Sequence, residues 1–123
     1  PSKEELVFAM RGRNGTEKLY LSARVNSPRV QVLADFYHMM MGRESANSIV
    51  SAASSLKHCH IAEFRSRAFP GSNGAMNELY RPYFDALKSI GYTGGVSCEC
   101  GWGAKNDFIK NLEISLNVMR SFC

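Results

Sequence analysis

A chain of 123 residues with 45% hydrophobic and 21% charged positions has the make-up of a folded globular unit, which excludes a disordered or fibrous segment. No apolar run approaches the roughly 20 residues that span a bilayer, and Pro1-Ser2-Lys3-Glu4-Glu5 lacks the apolar stretch of a secretion signal, so no membrane is expected and the default compartment is cytoplasmic. Lys and Arg number 15 against 11 Asp and Glu, a net +4, but they are scattered rather than striped, which argues against nucleic acid as partner.

In chain order, Leu6-Val7-Phe8-Ala9-Met10 is the first predicted strand, ending in the turn-rich Arg11–Gly15. Thr16 offers an N-cap for a helix through about Asn26, which Pro28 stops. Val30 to Asp35 is a β-branched run too short for a helix, and forms the second strand. The methionines after it, Met39-Met40-Met41, read as gap-filling core. Ser45 caps a helix carrying Ala46, Ile49, Val50, Ala53 and Leu56 at helical steps, and His58 to Ala62 is the third strand.

The segment from Glu63 to Asn77, with Pro70-Gly71 and Asn73-Gly74, is long for a connection and suggests a binding loop. Leu79, Tyr83, Phe84, Leu87 and Ile90 make one stripe on a helix that ends at Gly91 in a left-handed cap. Gly94 to Cys100 is the fourth strand. The last helix starts near Asn106 or Asp107 and carries Phe108, Leu112, Leu116 and Met119 on one side. Cys59, Cys98, Cys100 and Cys123 read as reduced, packed thiols: Cys98 and Cys100 alternate along a strand, which suits neither a disulfide nor a zinc knuckle.

Strands each followed by a helix imply parallel pairing and an α/β fold. At roughly 30 residues per unit of an eight-fold barrel, four units account for almost all of the chain, which makes it either an open parallel sheet or half of something larger. Along the strands, Gln31, Leu33 and Asp35 share one face, His58 and His60 another, and Gly95, Ser97 and Glu99 a third. If the aliphatic faces meet the helices, Asp35, His60 and Glu99 converge at the C-terminal ends of neighbouring strands, where parallel α/β folds place their sites. A carboxylate, imidazole, carboxylate set suits a divalent ion: manganese, magnesium, cobalt or zinc. The bland alternative for Asp35 is a cap on the following turn, and for Glu99 a solvated charge.

Asp35-Phe36-Tyr37-His38, His58-Cys59-His60-Ile61-Ala62-Glu63 with Arg67 and Pro70-Gly71 downstream, and Ala86 through Glu99 together resemble the C-terminal half of the xylose isomerase-like TIM barrels, nearest the ketose 3-epimerases and hydroxypyruvate isomerases. The resemblance runs from about Val30 to the C-terminus. It implies Asp35, His60 and Glu99 as ligands of one divalent metal, His38 and an Arg after the third strand as contacts to substrate oxygens, and a sugar or sugar phosphate as substrate. Spacing from Pro70-Gly71 selects Arg67, with Arg65 as the alternative. The implied chemistry is isomerisation or epimerisation by proton transfer through an enediolate, Glu99 being both ligand and base.

The pattern departs from the family in one place. A second catalytic Glu should end the first strand, where this chain reads Phe8-Ala9-Met10-Arg11. With four units and two open sheet edges, a missing N-terminal half or a homo-oligomer is expected. The lacking Glu keeps open a non-catalytic carbohydrate-binding or assembly module. Trp102 is left between stacking on a sugar and plain packing.

Overall fold

The computed structural model describes residues 25–74 and 77–123. The expected first strand, and all but the last two residues of the helix expected to reach Asn26, lie outside the described residues. Within them, a three-stranded parallel sheet runs in the order β1 (Val32–Asp35), β2 (Leu56–Ile61), β3 (Gly95–Cys98). Helices α1 (Phe36–Met41) and α2 (Asn47–Ala52) join β1 to β2, α3 (Asn77–Ser89) joins β2 to β3, and α4 (Phe108–Arg120) comes after β3. This is the parallel alternation expected of consecutive βα units of a barrel.

Each element begins or ends for a local reason. Asp35 ends β1 and its Oδ1 accepts the His38 N–H at 3.1 Å, so the strand turns directly into α1. Ser45 Oγ accepts the Asn47 N–H at 3.1 Å, though the helical N-cap position itself falls on Ala46. The helix expected to reach Leu56 stops at Ala52, because Ala53 takes φ +42° and opens a 3₁₀ turn, Ala53–Ser55, that delivers Leu56 into β2. At the end of α3, Gly91 adopts φ +66° while its N–H donates to the Lys88 carbonyl and that of Tyr92 to the Leu87 carbonyl, the paired hydrogen bonds of a Schellman cap.

The core lies between the outward faces of β1 and β2 and the helices. Phe36 is completely buried, with its ring centroid 5.2 Å from Tyr83 and 5.5 Å from Phe84, and Phe84 stacks on Phe122 at 4.4 Å. Met39 is buried and Met40 packs against this cluster, whereas Met41 is exposed. On α3 the buried side chains are Tyr80, Tyr83, Phe84, Ala86 and Leu87; Leu79, expected in the stripe, is exposed, and Tyr80 replaces it because its hydroxyl finds the Ala62 carbonyl.

Helix α4 corrects its expected stripe more strongly. Phe108 and Leu116 are 40% and 41% exposed, while Asn111 and Ser115 are buried. Asn111 Nδ2 donates to the Trp102 carbonyl and Ser115 Oγ to the Pro70 carbonyl, both at 2.8 Å. The helix is oriented by the two loops it holds, an effect that apolar periodicity does not register. All four thiols are free, and burial pushes that of Cys59 up to about 11. Among the described residues no helix is long and apolar enough to cross a membrane.

Candidate functional site

Register brings the expected cluster together. Asp35 lies opposite His60, and His60 opposite Ser97, so Glu99, two residues on, projects from the same face of the neighbouring strand. The Glu99 N–H continues the ladder by donating to the Ile61 carbonyl at 3.0 Å. His60 Nδ1 stands 2.9 Å from Glu99 Oε2 and 3.6 Å from Asp35 Oδ2, and one donor atom from each of the three residues lies within 4.8 Å of the others. Two ligands each about 2.1 Å from one ion are roughly 3 to 4.2 Å apart, so the two separations from His60, 2.9 and 3.6 Å, are close to the size a single cation bridges. Two anionic oxygens converge on one imidazole nitrogen, an arrangement that calls for positive charge between them. The donor set therefore fits a divalent ion. Asp35 also caps α1 with its other oxygen, so the expected turn cap sits on the same carboxylate that faces His60.

The loop after β2 brings one cation to the cluster's edge. Arg67 Nη2 is 3.9 Å from Glu99 Oε2, and its guanidinium lies 5.1 Å from the centre of the Tyr37 ring. Arg65, the alternative, lies over Phe64 instead. His38 meets the cluster through its backbone alone: its N–H goes to Asp35, and its exposed ring leans edge-on against Tyr37 at 5.2 Å. Trp102 stacks on Phe69 and meets Phe108 edge-on, which gives it a packing role.

Some features of the site escape sequence reasoning. His58 Nε2 and Ser97 Oγ are 2.8 Å apart, beneath the cluster on the same face, and the His58 and His60 rings meet edge to face at 5.3 Å. Strand alternation puts both residues on that face, and only the register is lacking. Ser115 and Glu63 are each only 1% exposed. Burial raises the Glu63 carboxyl above the ordinary carboxylate range, a shift that the Gly71 N–H partly offsets.

Residues 8–122 match the family described as the xylose isomerase-like TIM barrel. The chain belongs to this family. A Xenopus laevis protein named "Putative hydroxypyruvate isomerase" is 32% identical over 90 residues, covering 72% of this chain and 31% of its own length. D-psicose 3-epimerase from Clostridium cellulolyticum H10, crystallised with D-tagatose, superposes with a TM-score of 0.78 at 22% identity. D-allulose 3-epimerase from Methylomonas sp. does so with a TM-score of 0.70 at 24% identity. Both superpositions cover 89% of this chain and 43% of the enzyme, and at such identities they establish the fold. This xylose isomerase-like chain thus spans about a third of the curated relative and under half of the solved enzymes, and its strands and helices are part of a barrel.

Proposed function

We propose that residues 1–123 are one partial barrel domain of a metal-dependent sugar isomerase or epimerase, acting by proton transfer through an enediolate. The observation that carries this reading is the convergence of Asp35, His60 and Glu99 within 4.8 Å at the C-terminal ends of three parallel strands. These three side chains would hold manganese, magnesium, cobalt or zinc. When bound, such a cation stabilises the negative charge that develops on sugar oxygens as a C–H proton leaves. Glu99 is the base: its carboxylate is exposed toward the open side of the cluster and can accept that proton. Arg67, beside it, orients a substrate oxygen. His38 serves as a second substrate contact once its ring turns from Tyr37 toward the cluster. The relatives' names support a small sugar as substrate.

A second reading, a sugar-binding or assembly module without turnover, is favoured by the absence of a carboxylate in Phe8-Ala9-Met10-Arg11. Calorimetric titration with manganese tests the site. Glu99→Gln and His60→Ala are each expected to weaken binding by at least about tenfold, and unchanged affinity in both removes the proposal. Exchange of a ketose C3 proton with deuterated water marks the enzyme, and sugar binding without exchange marks the module.

A further inference from the structure

Glu63 is the buried acid that the proposed chemistry does not use. It lies two residues beyond β2 and is bonded into its own loop through backbone and side chain alike. Its N–H donates to the Ala68 carbonyl at 2.8 Å, its carbonyl accepts the Arg67 N–H at 3.0 Å, and its Oε2 accepts the Gly71 N–H at 3.0 Å. Oε1 has no partner among the described residues. A buried carboxyl with one orphaned oxygen is costly to keep, and a solvated Glu would be the cheaper choice at a site that needed only a loop.

What the carboxyl secures is a loop that would not hold its shape alone. Arg65 and Arg67 have φ of +68° and +58°, a region that side-chain-bearing residues rarely adopt. The far end of the loop is pressed onto α4: a Cβ at Gly71 would sit 2.7 Å from Val118 Cγ2 and 2.9 Å from Ile114 Cγ2. The Arg67 carbonyl in turn accepts the Gly101 N–H at 2.9 Å, and Ala68 bridges Gly101, so the loop's shape passes directly to the segment after Glu99.

We propose that Glu63 is a positioning residue for Arg67: by tying Gly71 back to the end of β2, it holds the loop in the one shape that brings the guanidinium to Glu99. This deepens the reading of the cluster as a sugar site, since Arg67 is the substrate contact of that reading.

Glu63→Leu removes the acceptor while filling the space, and Glu63→Gln restores an acceptor for Gly71. In Glu63→Leu, hydrogen exchange at the Gly71 and Gly101 amides is expected to quicken at least about tenfold while the Cys59 and Ile61 amides stay protected. The emission of Trp102, stacked on Phe69 of the same loop, should shift with it. Glu63→Gln should restore both. If the Leu variant does not fold, Glu63→Ala removes the same acceptor without adding bulk and should give the same selective pattern.

Unchanged loop exchange, equal loss at the strand amides, or a Gln variant no better than Leu overturns the proposal. These readouts need neither metal nor sugar, so they stand even if the chain binds no ketose, an outcome that would count against the proposed function alone. Where the manganese-loaded chain does bind a ketose, Glu63→Leu and Arg67→Ala should each weaken it about tenfold and the double variant no further. Additive losses would show that Glu63 does not act through Arg67.

Discussion

The two sides of the sheet are built on different principles. Around β1, β2 and α3 the chain buries Val32, Ala34, Phe36, Leu56, Cys59, Ile61, Tyr83, Phe84 and Leu87, a continuous apolar core. Around β3 and α4, Gly95 and Ser97 are exposed, Val96 and Cys98 half-buried, and the helix turns Asn111 and Ser115 inward to hold backbone carbonyls. The first side is fastened mainly by area, whereas the second adds directed side-chain bonds from α4 to the apolar contacts of Val96, Cys98, Val118 and Phe122. Area is forgiving of small displacements, whereas a hydrogen bond fixes direction, and the second side is the one that carries Glu99 and meets the Arg67 loop.

This contrast can be broken by substitution. Phe36→Ala should be the most damaging, by about 3–5 kcal/mol, because it empties the centre of a ring cluster that cannot close over the gap. Urea denaturation would measure it, and a loss near that of a surface change would mean the apolar side is not the main support. Ser115→Ala should cost about 1–3 kcal/mol, since it leaves the buried Pro70 carbonyl without its donor. It should also shift Trp102 emission, because Ser115 holds the loop that carries Phe69. Leu116→Ser should change stability by no more than about 0.5 kcal/mol, because the leucine is already 41% exposed. A large loss there would restore the leucine stripe as the helix's inner face.

The same contrast explains what can be read in the sequence. Alternation along each strand gives the faces of Asp35, His60 and Glu99, while the register that sets Asp35 opposite His60 and His60 opposite Ser97 is visible only in the structure. The resemblance offers Arg67 by its spacing from Pro70-Gly71 and Arg65 as the alternative, and the structure places Arg67 beside Glu99 and Tyr37 and Arg65 over Phe64. Apolar patterning locates α2, α3 and α4, but it falters where polarity decides the facing. Leu112 and Leu116 outweigh Asn111 and Ser115 in any hydrophobic count, although the latter pair satisfies backbone acceptors that no pattern of side chains displays. Glu63 is illegible for a related reason. A lone Glu after a strand reads as solvated, and its partner, the Gly71 amide eight residues on, is a main-chain group that every residue but proline offers. The short helix α1 is likewise hidden, since its six residues owe their turn to the cap at Asp35.

Asp35 links two events that are usually separate. One oxygen starts a helix while the other faces His60, so the rotation of that carboxylate about its own bonds is already frozen when the chain folds. On the proposed reading, a cation at the cluster would meet a donor whose freedom has been surrendered in advance, and fraying of the first turn after β1 would weaken its binding from the far side of the same side chain.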